Sequence, residues 1–294
     1  MIFGTSESPP ISRRARRAPG RAALATRRAD AARASLASCH LCAHHCGVNR
    51  LDGPAGQCHA GARARVFSAQ TEVSDELAIG PTYAIALSGC DLRCAFCITG
   101  RESWNVRAGE PLDIPALAAR ATAALAAGAR TVMILGGEPT VFLPDALELA
   151  SHLPESATLV WKTNAHASAE ARAWLDGVFD IWVADYKFGC DACATRLADV
   201  SNYTAIVREN LRWAARDHDL IVRHLLMPGH VDCCWAPVAA WLAHELPSAR
   251  VSLREGFWPA WQARNHVELV RSCSSAEIDR GREIAADLSL NLLP

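Results

Sequence analysis

From Tyr83 onward, short continuous apolar runs alternate with helical patterns. The runs Tyr83–Leu87, Thr131–Leu135, Thr158–Trp161, Val178–Ala184, Leu220–Met227 and Arg250–Leu253 read as strands, because they are short and lack polar alternation. Between them lie amphipathic or Ala-rich helices, near Asp145–His152, Ser168–Leu175, Tyr203–Arg216 and Trp235–Leu246. Another runs over Asp113–Ala127, opened by Asp113 and Pro115 and stopped at Gly128. A last helix, about Ser275–Leu288, has Ser274 and Glu277 spaced as a capping box. Strands buried on both faces and joined by helices form a parallel sheet, either open and doubly wound or curled into a barrel. Six units are too few to close an eight-stranded barrel.

In such a sheet, ligands bind beyond the carboxyl ends of the strands. After the first run come Cys90, Cys94 and Cys97, in C-x3-C-x2-C spacing. Three thiolates on one short loop reach three corners of a cubane iron–sulfur cluster and leave the fourth iron open. A zinc knuckle or buried structural thiols are the alternatives. After the second run comes Gly136-Gly137-Glu138-Pro139, in which two glycines allow close backbone approach to a ligand and Pro139 stiffens the turn. Lys162, Thr163 and Asn164 follow the third run, and Asp185 and Lys187 point to one side of the segment after the fourth. The fifth run carries Arg223 and His224, which are costly inside a strand unless they are paired or face a polar cavity. Structural ion pairs between strands and a ligand pocket both account for these charges.

A second thiol group precedes the sheet. Cys39, Cys42, Cys46 and Cys58 sit in a loop rich in Gly and His, a composition that suits a closed zinc site and a fully ligated iron–sulfur cluster equally. The histidines there, His40, His44, His45 and His59, read as solvated loop residues. Cys190 and Cys193 read as incidental thiols near a helix start, with a further metal or a redox pair as the alternative. Adjacent Cys233 and Cys234 cannot easily face one metal together, so with Cys273 they read as structural.

The cluster loop, with Phe96 at the aromatic position before its third cysteine, resembles the signature of the radical S-adenosylmethionine superfamily. Gly136–Pro139 is similar to that superfamily's motif for the methionine amino group. Residues 39–51, Ala184–Gly189 and Arg223–Gly229 extend the resemblance to uncharacterised proteins similar to pyruvate formate-lyase-activating enzyme. Ile98-Thr99 departs from that branch, which often has a more polar pair there. The resemblance implies a partial (β/α)6 TIM-like barrel, and Cys90, Cys94 and Cys97 holding a [4Fe–4S] cluster whose open iron takes S-adenosylmethionine. Phe96, Gly136, Gly137, Glu138, Pro139, Thr163, Asn164 and His224 would bind that cofactor, and Asp185, Lys187 and Arg223 would serve the catalytic rim. The implied reaction is reductive cleavage to a 5'-deoxyadenosyl radical, which then takes hydrogen from a protein or peptide. A small-molecule substrate and a non-catalytic zinc or iron–sulfur regulator that binds nucleic acid through its Arg-rich lead are the other readings. The implied partners are the substrate and a reductant such as flavodoxin or ferredoxin.

The chain has 294 residues, half of them hydrophobic, enough for one large domain with a small appendage. A net charge of -1 argues against a polyanion-binding surface, so nucleic acid is not an expected partner. No apolar stretch approaches the ~20 residues of a membrane span. Twelve cysteines grouped by spacing suggest metal binding in a reducing compartment, the cytoplasm. Residues 1–35 carry Arg13, Arg14, Arg16, Arg17, Arg21, Arg27, Arg28 and Arg33 against only Glu7 and Asp30. They read as a disordered basic extension ending in a surface helix near Ala22–Ala37, with a transit peptide or an early start codon as alternatives. The expected division is therefore 1–35 extension, 36–75 four-cysteine metal-binding segment and 76–294 barrel.

Overall fold

All six apolar runs become neighbours in one sheet. The protein, known from a computed structural model, is described over residues 20–294. In chain order the elements are α1 (Arg21–Ala34), β1 (Arg65–Glu72), β2 (Thr82–Leu87), α2 (Gly100–Trp104), β3 (Glu110–Pro111), α3 (Ile114–Ala126), β4 (Thr131–Gly136) and α4 (Leu143–Ser151). There follow β5 (Leu159–Thr163), α5 (Ala169–Leu175), β6 (Ile181–Asp185), α6 (Asp191–Ala198), α7 (Tyr203–Asp217) and β7 (Asp219–Leu225). The last are α8 (Ala236–Glu245), β8 (Arg250–Arg254), α9 (Ser275–Asp287) and β9 (Asn291–Leu292). The strand order is β3-β1-β2-β4-β5-β6-β7-β8-β9. From β2 to β9 every pairing is parallel, while β1 runs antiparallel to both its neighbours. The caps read from the sequence are made, Asp113 accepting from Ala116 N and Ser274 with Glu277 closing a capping box, and Ser168 adds a further cap by accepting from Ala171 N.

The strands alternate between two buried faces, as the two-residue period of a strand demands. On one face Tyr83, Ile85, Val132, Ile134, Trp161, Trp182 and Val222 join the helices in the main core. On the other, Ala84, Met133, Val160, Ile181, Val183 and Ile221 form a smaller apolar cluster with Ile79. Residues 73–81, which link β1 to β2, lie across this second face. The buried carboxylate of Glu76 accepts from Lys162 Nζ of β5 at 3.3 Å and Ser252 Oγ of β8 at 3.1 Å, and stands 3.2 Å from Arg223 Nε of β7. In a flat sheet β5 and β8 would stand about 14 Å apart. One carboxylate meets both because the sheet curls around it as an open-sided barrel.

Two expected boundaries are corrected. The helix expected near Ala22–Ala37 forms as α1, but it is not a surface helix on a loose extension: Ala25, Ala29 and Ala32 are buried in the main core, and it lies along α4. Arg21 is buried and donates to Ala157 O at 2.7 Å, and Arg33 reaches Asp145 at 2.9 Å and Glu148 at 2.6 Å. An alanine stripe gives a weak hydrophobic signal, yet its small side chains let helices approach closely. The remainder of that expected extension, 1–19, lies outside the described residues. The 75/76 boundary also fails, because β1 belongs to the same sheet as the barrel. No helix among the described residues is long and apolar enough to cross a membrane.

Candidate active site and metal centres

The cluster loop leaves the carboxyl end of β2, and the Gly-Gly-Glu-Pro turn leaves the same end of its neighbour β4, with Leu87 paired to Gly136. Gly137 N donates to Leu87 O and Glu138 N to Gly89 O, both at 2.9 Å. A Cβ on Gly137 would stand 2.0 Å from Gly89 O, and one on Gly136 would stand 2.1 Å from Leu87 O. The glycines are thus required by the chain's own backbone, which packs the turn directly under the cysteine loop. Cys90 and Cys94 are buried and Cys97 is half-buried. The loop is held from behind by Arg93 N donating to Ala198 O at 2.9 Å and Ala95 N to Leu197 O at 2.8 Å. Burial pushes the Cys90 thiol well up and the Cys94 thiol up to about 12, although the Lys187 cation opposes the latter. Such thiols keep their protons until a metal centre supplies compensating positive charge.

Glu138, Thr163 and Asn164 form a layer beneath the loop. The Glu138 carboxylate accepts from Thr140 N at 3.0 Å, Thr140 Oγ1 at 2.5 Å, Thr163 Oγ1 at 2.9 Å and Asn164 N at 2.7 Å. Burial, then the negative Asp91, push its pKa up to about 7 against the pull of those donors. Asn164 Nδ2 donates to Asp91 Oδ1 at 2.7 Å, and His166 Nδ1 sits 2.7 Å from Asp91 Oδ2. His44 Nε2 lies 3.0 Å from Asp91 O, and its ring meets His166 edge-on at 4.9 Å. The side chains of Glu138, Thr163 and Asn164 are therefore taken up in orienting the loop rather than left free at the rim. His44 is corrected from a solvated loop residue to a half-buried contact of Asp91. Asp91, His44 and His166 were missed because a single aspartate between cysteines carries no motif, and its partners come from segments far along the chain. Phe96 packs edge-on to Phe188 at 5.9 Å and beside Phe257 at 6.2 Å.

Lys162, Asp185 and Arg223 share the barrel-interior face, and Lys187 closes on Asp185 just beyond β6. Arg223 Nη1 is 3.5 Å from Asp185, while its other nitrogens reach Asp75 at 2.9 Å and Glu76 at 3.2 Å. Burial opposes the Asp185 charge, but Lys187 and Arg223 hold its pKa down to about 2. Lys187 also faces Cys94 closely enough to act on its charge. His224 is corrected. Next to Arg223 in an extended strand, it points to the opposite face, stacks on Trp235 at 5.0 Å and bonds Tyr186 O through Nδ1 at 2.6 Å. Burial lowers its pKa to about 4, so it is a neutral core histidine.

Cys39, Cys42, Cys46 and Cys58 line one cavity with Arg50 and Val141. Arg50 is buried, donates to Ala60 O at 3.1 Å and Gly61 O at 2.7 Å, and lies 3.5 Å from Cys39 Sγ. This segment rests against the active-site rim: Ala43 N donates to His166 O at 2.9 Å, Ser168 N to Leu41 O at 3.0 Å, and Arg93 reaches Gln57 O.

The family model of the Radical SAM superfamily matches residues 85–242, over half of the chain. The chain belongs to the radical SAM superfamily. It is 28% identical over 267 residues to the uncharacterized protein MJ0674 of Methanocaldococcus jannaschii, covering 87% of this chain and 76% of that one. Its fold is similar to the crystal structure of Streptococcus suis SuiB bound to the precursor peptide SuiA, at a TM-score of 0.53 and 15% identity over 69% of this chain. It is also similar to SuiB bound to S-adenosylmethionine, at a TM-score of 0.51 and 16% identity over 69% of this chain. The radical SAM chain described here spans 46% and 47% of the length of those SuiB chains, respectively. The radical SAM match takes in the three cysteines of the loop, the Gly-Gly-Glu-Pro turn and the charged rim. It begins after the Cys39–Cys58 segment.

Proposed function

We propose that this radical SAM protein is an iron–sulfur enzyme acting on a protein or peptide, with Cys90, Cys94 and Cys97 as ligands of a [4Fe–4S] cluster. The observation that carries the reading is the backbone seam between Gly136–Gly137 and the Cys90 loop, which brings a turn suited to an amino-acid head group against the loop that bears the three thiols. The cluster, reduced by a flavodoxin- or ferredoxin-like donor, would supply the electron that cleaves S-adenosylmethionine to methionine and a hydrogen-abstracting 5'-deoxyadenosyl radical.

The protein's own residues orient and shield. Asp91, held by His166 and Asn164, fixes the loop that presents Cys90 and Cys94. Glu138 locks the turn to β5. Phe96, Phe188 and Phe257 keep water from one side of the loop. Asp185 and Lys187 supply fixed charges beside Cys94, and Arg223 backs Asp185, where a zwitterionic cofactor and its substrate would lie. Ile98, Trp258 and Trp261 stand exposed, and Gln262 N, beside Trp261, donates to Ala95 O at 2.9 Å. An apolar collar around the cluster loop suits an extended peptide better than a small polar metabolite. The fold it shares with SuiB, whose structure holds a precursor peptide, supports the same substrate class. The Cys39–Cys58 group would hold a second metal, zinc or iron–sulfur, against the same rim. Thiolates at both centres suit the reducing cytoplasm.

Anaerobic reconstitution followed by dithionite and S-adenosylmethionine should yield 5'-deoxyadenosine, and Cys94→Ala should abolish both the cluster spectrum and the product. No 5'-deoxyadenosine from protein with a spectroscopically intact cluster would reject the reading.

A further inference from the structure

Eight residues beyond β6 and five beyond β7, four ligand atoms converge that no sequence spacing joins. They belong to Cys193 in the first turn of α6, to His230, and to Cys233 and Cys234, and all lie within 4.8 Å of one another. Cys193 Sγ is 3.8 Å from Cys233 Sγ, and Cys233 Sγ is 3.9 Å from Cys234 Sγ. His230 Nδ1 lies 3.5 Å from Cys193, 3.2 Å from Cys233 and 3.7 Å from Cys234. Tetrahedral zinc with bonds of about 2.3 Å to sulfur and about 2.0 Å to nitrogen requires sulfur–sulfur edges of about 3.8 Å and sulfur–nitrogen edges of about 3.5 Å. The observed edges fit one small ion at their centre and are too short to embrace a cubane.

Adjacent cysteines were expected to diverge, since neighbours on an α-helix project about 100° apart. Here Val231–Trp235 forms a π turn, in which Trp235 N donates to His230 O at 3.3 Å alongside Cys234 N to the same oxygen at 2.9 Å. The widened turn re-aims both thiols, and such bulges recur at functional sites. Gly189 permits the β6–α6 loop to press against it, since a Cβ there would stand 2.3 Å from Cys234 O. His230 is also oriented from behind. Its Nε2 lies 3.5 Å from Glu268 Oε1 and 3.4 Å from Arg196 Nη2, and Arg196 pairs with the same carboxylate. In the tautomer with its proton on Nε2, toward Glu268, the Nδ1 lone pair faces the sulfurs, the usual arrangement behind a metal-bound histidine, and Arg196 then pairs with the Glu268 carboxylate rather than with Nε2.

We propose that Cys193, His230, Cys233 and Cys234 bind one zinc-class divalent cation in a closed site of three thiolates and one imidazole, with Glu268 as the group that orients His230. Binding displaces the three thiol protons, and no coordination position remains for substrate, so the ion is structural. It ties the loop after β6, which follows Asp185 and carries Lys187, to the loop after β7, the strand that bears Arg223. The site is independent of the Cys90 cluster.

The test uses full-length protein purified without iron reconstitution, carrying Cys39→Ala and Cys42→Ala to silence the other thiol group, and titrated with Co2+ alone. The expected result is one equivalent bound, with thiolate-to-cobalt charge transfer and the d–d bands of a tetrahedral site, displaced by Zn2+. Adding Cys233→Ser, at an exposed position, should weaken binding at least about 10-fold, and Glu268→Gln should weaken it about 10- to 100-fold with far-UV circular dichroism unchanged. The proposal is overturned if the parent folds but takes up no cobalt, or if affinity is unchanged by Cys233→Ser and by Glu268→Gln. A Cys193–Cys233 disulfide found by mass spectrometry in anaerobically isolated protein would also overturn it.

Discussion

At Gly137 a single hydrogen atom separates a working seam from a collision, because the nearest obstacle to a Cβ is backbone, Gly89 O at 2.0 Å. Backbone at that distance cannot rotate away as a side chain would. Gly137→Ala should cost about 1–3 kcal/mol, read from the urea midpoint of the metal-free protein. The same variant should lose at least ten-fold in 5'-deoxyadenosine formation after reconstitution, since the displaced loop carries Cys90. At Asp185 the sign of the pH effect follows from its depressed pKa. An unfolded aspartate titrates near 3.9, and folding lowers this one to about 2, so its contribution is complete above pH ~4 and fades as pH falls toward 2. It amounts to something on the order of 2 kcal/mol, and Asp185→Asn should flatten the acid limb of the stability curve over that window. The cluster cysteines and Gly136–Pro139 were legible as spacing. Asp91 and its histidines were not, since nothing local marks them.

At the scale of elements, caps and periodicity were read more securely than burial. Ser274 and Glu277 form the capping box their spacing announced, and Glu277 also accepts from Gly229 N at 2.6 Å. Ser274→Ala should lower stability by about 1 kcal/mol in denaturant unfolding. For α1 the expected helix is present but its burial is not legible, because arginine density masks an alanine stripe at 25, 29 and 32. Ala25 is fully buried, so Ala25→Leu should destabilise by about 1–3 kcal/mol, where a loose extension would show no change in melting temperature. The strand period of two already forbids Arg223 and His224 from sharing a face. Their separation into rim and core is therefore written in the sequence itself.

For the whole molecule, the β1–β2 link decides how the barrel interior is filled. Glu76 joins β5, β7 and β8 from a loop with no strand or helix signal of its own. Glu76→Ala leaves Lys162 and Arg223 half-buried without this partner and should cost about 3 kcal/mol or more, measured by thermal or urea unfolding. The sequence by itself determined the parallel α/β sheet, the strand ends that carry chemistry, and the three thiols of the cluster loop. Each of these is written in contiguous residues, through a period or a short spacing. Only the tertiary structure decided that α1 and β1 belong to the body of the fold, that Glu138 serves the loop beneath it, and that Cys193 meets Cys233. Those pairings depend on how crossovers fold back and on a π turn that re-aims neighbouring thiols, so no local pattern encodes them.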